Sequence, residues 1–317
     1  MPIAAVLLVL ASSIFHVAWN SLVKTSGDPL ATSTRAVGLG VLAITPIVAL
    51  GWLATGRPML APEGWGIAVL SGIVSAAYFV PLSAAYRRGA LSSVYPVARG
   101  TGALLGVVLG VVVLGERLQP PGSLGVALLL AGTLGAALAT ASRSTVAPAL
   151  LAGCAVAGYS ALDRVGVRTG PAWLYAWALW SVCAVALVTW RAATAAAWNH
   201  RTGAPITAPV RASRAAPGAG SSRTSEKAAS DADRAPGGAA GMRRSLVAGL
   251  LMIGTYLLVL LAFQIAPLAG VAPLREAATI LAAAWGVVVL GERERAGVRL
   301  LSATAVAVGA VLLAVGG

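Results

Sequence analysis

The octapeptide GVVVLGER occurs twice in the chain, at Gly110–Arg117 and again at Gly286–Arg293. Working outward from that pair, the same offset carries Arg99 onto Arg275, and a one-residue gap carries Ala85-Tyr86 onto Ala262-Phe263. Earlier in the chain the match is weaker and the offset shifts, placing His16 on Tyr159 and Asn20 on Asp163. Self-similarity over such a length marks a duplicated unit. The first copy spans residues 1–142. The second begins at 144, is interrupted over 191–244, and resumes over 245–317.

The solvent for this unit follows from composition. Of 317 residues, 58% are hydrophobic and only 10% charged, against about 25% charged in ordinary soluble domains; the mean hydropathy is +0.85. That leaves too little polar surface for a water-soluble globule. A helix crossing a bilayer needs roughly 20 mainly apolar residues. Uncharged runs of about that length recur, among them Met1–Val23, Ala36–Gly56, Gly64–Tyr86 and Thr169–Trp190. Ser245–Leu274 is long enough to be divided, at Pro267 and Gly270, between two helices. With Ser92–Leu114 and Ala269–Leu290, each carrying one arginine near its start, the sequence predicts ten transmembrane helices. Backbone polar groups in lipid must be satisfied internally, and no ten-residue alternation suggests a barrel. The expected fold class is an all-α integral membrane protein of the plasma membrane, its first helix retained rather than cleaved.

Five helices per copy is an odd number, so consecutive copies must run in opposite senses through the membrane. Inverted repeats are a construction of secondary transporters, with the substrate site where the repeats meet. The paired GVVVLGER segments, each followed by a final apolar helix (Leu124–Ala141 and Leu300–Val315), resemble the EamA family of the drug/metabolite transporter superfamily. That resemblance covers the chain except for the interruption. It implies two five-helix EamA repeats and movement of small metabolites or drugs, without a cofactor.

The interruption itself holds nine Lys/Arg against three acids (Glu226, Asp231, Asp233) and is rich in Ala, Gly, Pro and Ser. It reads as a disordered basic linker. Aromatic interleaving that would suggest nucleic acid is missing. The expected partners are a small-molecule substrate and the lipid bilayer. A double GxxxG stripe (Gly102, Gly106, Gly110) permits close helix packing, either within the bundle or across a homodimer.

Ionisable groups inside spans are expensive and are functional candidates by default. His16, Asn20 and Lys24 recur every four residues on one face of the first helix, with Trp19 beside them. Arg99 and Arg275 each follow a proline (Pro96, Pro273) in matching helices. A helix broken by proline at membrane depth aims its N-terminal dipole at an anion, and arginine adds a bidentate fork for carboxylate or phosphate. The expected substrate-binding set is therefore Arg99, Arg275, His16, Asn20, Trp19 and Tyr159. Asp163 and Glu276 are the expected carriers of a coupling proton. The GER triplets fit helix stops with interfacial charges, and are read as marks of the fold rather than as a site.

Other classes have weaker support. Neither lysine of the chain (Lys24, Lys227) follows a glycine, as a phosphate-binding loop requires. Two histidines, one of them in the linker, do not make a metal centre. No catalytic constellation stands out, so an enzyme is not expected. The expectation is an exporter of an anionic or zwitterionic metabolite, proton-coupled or facilitative. An efflux system for cationic drugs, using Asp163 and Glu276, and a non-transporting receptor or scaffold stand as alternatives. The excess of Lys/Arg in alternate loops would place both termini outside.

Overall fold

A computed structural model describes residues 2–113, 115, 120–140, 143–202, 238–275 and 278–316, and every regular element among them is helical. The helices are α1 (Ile3–Lys24), α2 (Pro29–Ala54), α3 (Pro62–Arg88), α4 (Leu91–Val112), α5 (Pro120–Thr140), α6 (Arg143–Gly166), α7 (Ala172–Thr202), α8 (Ala239–Ile265), α9 (Leu268–Leu274), α10 (Ala278–Val288) and α11 (Ala296–Gly316). Among the described residues, seven helices (α1–α4 and α6–α8) are long and apolar enough to cross a membrane, and α5, α10 and α11 hold shorter apolar stretches. The expected ninth span holds α9 and α10; residues 276 and 277, Glu276 among them, lie outside the described residues.

Local chemistry sets the helix boundaries. Asp28 caps α2, its carboxylate accepting from the Leu30 and Ala31 amides at 3.1 Å each, with Pro29 in the first helical position. Gly115 and Gly291, the glycines of the two GER triplets, take φ values of 69° and 70°, a conformation only glycine enters cheaply. Helix α7 runs through Thr202, past the expected start of the linker at 191; the Ala-rich run after Trp190 is a good helix former.

Packing follows the duplication. α1 lies against α8 as α6 lies against α3, α2 against α8 as α7 against α3, and the last helices of the two units, α5 and α11, pack together. Exchanging the units leaves this set of contacts unchanged. Arg244, at the start of α8, donates to the Leu22 carbonyl near the end of α1, so these two helices are antiparallel. Small residues bring them together. A Cβ on Gly249 would stand 1.9 Å from the Ala36 carbonyl oxygen of α2. One on Gly102 would meet Val156 of α6 at 2.8 Å, so that residue of the GxxxG stripe packs inside the bundle. The outer faces are apolar: Leu42, Ile47 and Leu50 on α2, Val185 on α7 and Leu301 on α11 are all exposed, as a lipid-facing surface requires.

Candidate functional site

Where the two units meet, aromatic side chains line a cavity of about 30 Å³, room for a few water molecules at most. α1 contributes His16 and Trp19, and α3 contributes Ser75, Tyr78 and Phe79. From the second unit come Tyr159 of α6, Trp180 of α7, Met252, Thr255 and Tyr256 of α8, and Arg275 just beyond α9. The rings meet edge to face: Tyr159–Tyr256 at 5.6 Å, Trp180–Tyr256 at 5.8 Å, Tyr78–Tyr159 at 6.0 Å and His16–Trp19 at 5.0 Å between centroids. This geometry sets the positive ring edge against a negative face and makes a stiff, amphipathic wall.

Arg275 is the charge on that wall. It is 4% exposed, its guanidinium lies 5.6 Å from the Tyr256 ring centroid, and Nη1 donates to Ser160 Oγ at 3.3 Å. Among the described residues its partners are this cation–π contact and one neutral hydrogen bond, and its guanidinium lies on the cavity lining. Arg99 is equally buried, at 3%. It stands outside the cavity lining, though both arginines come within electrostatic reach of His16 and Tyr78. Arg275 lines the cavity and Arg99 does not. α4 passes through Pro96 without a break, so the break expected there is not found; the one expected after Pro273 adjoins residues 276 and 277, which lie outside the described residues.

Three polar atoms on the lining are buried and have no hydrogen-bond partner among the described residues: His16 Nε2, Trp180 Nε1 and Thr255 Oγ1. Buried polar groups are nearly always satisfied. Three orphans around one cavity, together with Arg275, make a ring of groups suited to hold a polar solute.

Behind the lining sits Asp163, fully buried. Its carboxylate accepts from the Tyr175 hydroxyl at 2.7 Å and from the Tyr256 hydroxyl, so tyrosines, rather than an arginine, satisfy its oxygens. Tyr256 thereby presents one face to Arg275 and its hydroxyl to Asp163. In the first unit, Asn20 occupies the corresponding place. It accepts from the Tyr86 hydroxyl at 2.6 Å and donates to the His16 carbonyl at 2.8 Å, and it lies outside the cavity lining. Lys24 is engaged with protein: its ammonium donates to the Tyr86 and Gly89 carbonyls, both at 2.6 Å, where α3 ends. Arg164 makes the matching tie in the second unit, donating to the Phe263 carbonyl at 3.1 Å. Since α8 begins where α1 ends, these ties lie at opposite ends of the bundle.

Glu292, from the second GER triplet, holds the first of those ends. Its two oxygens accept from the Leu91 and Ser92 amides at 2.7 and 2.9 Å, capping α4 with a residue from the other unit. Arg299 donates to Ser92 Oγ at 3.0 Å and to the Glu292 carbonyl at 3.3 Å. Sequence reasoning took this glutamate for a loop charge; its partners lie 201 and 200 residues away, and no local pattern announces them.

In comparisons with known proteins, no family model matches the chain and no curated protein matches it. A solved structure, described only as the crystal structure of a protein, superposes with a TM-score of 0.58 at 16% identity, over 98% of this chain and 96% of that one. At that identity the likeness is one of fold.

Proposed function

We propose that the protein is a secondary transporter of the plasma membrane, crossing it ten times as two inverted five-helix repeats and exporting a small anionic or zwitterionic metabolite by alternating access. The observation that carries this reading is the central cavity at the junction of the two units, where Arg275 and the unpartnered His16 Nε2, Trp180 Nε1 and Thr255 Oγ1 converge. A buried arginine favours carboxylate or phosphate, and the tryptophan N–H and threonine hydroxyl add donors for further oxygens. The aromatic wall suits the apolar part of a metabolite. In this conformation the cavity is smaller than a metabolite, and side-chain ties join helices at both ends of the bundle; in the proposed cycle this is a state between the two open forms. In this cycle Asp163, held by the Tyr175 and Tyr256 hydroxyls, is the carrier of a coupling proton. The resemblance of the GVVVLGER pair to EamA transporters points the same way.

Counterflow in proteoliposomes tests the proposal. A panel of labelled anionic, zwitterionic and cationic metabolites is offered to the protein and to its Arg275→Ala variant. Exchange of an anion or zwitterion that falls at least tenfold in the variant supports the arginine site, since losing a charged hydrogen bond costs about 1.5–3 kcal/mol. Exchange of cations that survives the substitution overturns it.

A further inference from the structure

A second site lies at the end of the bundle where α1 gives way to α2 and α8 begins. There a pocket of about 320 Å³ is lined by Thr25, Ser26, Thr32, Arg35, Gly241 and Arg244, among others. We infer that this pocket binds the headgroup phosphate of an anionic phospholipid.

Charge points to an anion. Arg35 and Arg244 both face the pocket, and Arg191 of α7 is close enough to repel Arg35. The acid nearby, Asp28, already caps α2 through the Leu30 and Ala31 amides, so a positive excess remains. The two lining arginines differ in a useful way. Arg244 is fixed, with Nε and Nη2 donating to the Leu22 carbonyl at 2.9 and 2.6 Å and Nη2 also reaching the Thr25 hydroxyl. Arg35 has no hydrogen-bond partner among the described residues, and its Nε is buried. One guanidinium is held in place and the other is unspent, with the Ser26 and Thr32 hydroxyls between them. Arginine forks and hydroxyls together are the chemistry that grips phosphate.

Position points to lipid rather than to a dissolved ion. The pocket sits at helix ends, the depth of the headgroups if these helices cross a bilayer. Farther along the neighbouring helices, Leu42 and Ile47 of α2 and Val185 of α7 are exposed apolar side chains against which acyl chains can lie. Basic pockets between membrane helices are a recognised form of anionic-lipid site. The inference stands apart from the transport reading, because it needs neither the central cavity nor any movement.

The test is native mass spectrometry of the full chain in detergent, with phosphatidylglycerol and phosphatidylcholine of equal chain length in competition. The expected result is retention of phosphatidylglycerol in about 30-fold preference, the scale set by two arginines near a charged surface. The Arg35→Gln/Arg244→Gln variant should lose the preference, and a variant with Arg211, Arg214, Arg223 and Lys227 changed to Gln should keep it. Equal retention of the two lipids by the unaltered protein overturns the inference without relying on any variant. A preference that vanishes only with the second variant assigns the effect to the linker and also overturns it. Displacement of the lipid by millimolar glycerol phosphate would make the pocket a site for soluble phosphates instead.

Discussion

Replacing Glu292 by Gln separates a gate from a simple helix cap. The carboxylate accepts from two amides at 2.7 and 2.9 Å, and it meets the positive end of α4 as well. Hydrogen bonds to a charged group contribute about 1.5–3 kcal/mol, and neutral ones about 0.5–1.5. The glutamine keeps one neutral acceptor, so the substitution should cost about 2 kcal/mol wherever the contact exists. Glu292 comes from one unit and α4 from the other. In the proposed cycle the contact closes one end of the bundle and must open when the cavity faces that side. A loss of about 2 kcal/mol confined to the closed form shifts the balance toward the open form about 30-fold. Ser75, which lines the cavity, provides the reporter. Ser75→Cys is introduced with Cys154 and Cys183 changed to Ser, and its labelling by a membrane-impermeant maleimide is timed from the side bearing the α3–α4 corner. Glu292→Gln should speed labelling by one to one and a half orders of magnitude. Unchanged labelling alongside a drop in thermal stability would mean that the glutamate caps α4 in every state, and the gating argument would fail.

Two further outcomes follow from packing. Tyr256→Phe removes one of the two hydroxyls on buried Asp163 and should destabilise the protein by about 1–3 kcal/mol; thermal unfolding in detergent reads this, and Asp163→Asn in the same background should recover part of it, because the buried charge is gone. Gly249→Ala drives a Cβ into the Ala36 carbonyl, whereas Gly254 on the same helix has nothing within 4 Å of its would-be Cβ. The first change should cost about 1–3 kcal/mol or more by overpacking and the second should gain up to about 1 kcal/mol in helix propensity, so equal unfolding midpoints for the two variants would contradict the α2–α8 contact.

Which residues could be read from the chain depends on how far each one's partners lie. Arg275 and His16, both on the cavity lining, were legible because a polar group within an apolar run has few reasons to be there; Arg99, which duplication paired with Arg275, stands off that lining. Trp180 and Thr255 were not assigned to the site, since an aromatic or threonine in an apolar helix looks the same whether it packs or binds. Their place on the lining appears only when α7 packs on α3 and α8 on α1. Asn20 shared the His16 face, as its spacing predicts, yet the Tyr86 hydroxyl turns its amide away from the cavity. Glu276 lies outside the described residues. Helix boundaries at Asp28, Gly115 and Gly291 follow rules of a few residues' reach, whereas the Glu292 cap spans the two units and leaves no local trace.

The duplication is closer in its packing than in its chemistry, and that difference bears on mechanism. Lys24 and Arg164 tie the ends of α3 and α8 through carbonyls at corresponding positions, Tyr86 and Phe263, so both ends of the bundle have a comparable fastening. The polar groups behind the cavity differ: a neutral amide at Asn20 faces one tyrosine, and a carboxyl at Asp163 faces two. Arg99 sits within α4 and off the cavity lining, while Arg275 lies on that lining. A carrier whose interior holds no titratable group could only equilibrate a solute. Asp163 supplies such a group, because protonating it changes what Tyr256 can accept or donate and thereby how Arg275 is held. In the proposed cycle this is the route by which a proton gradient would favour one direction. It requires Asp163→Asn to leave exchange intact while abolishing uphill movement.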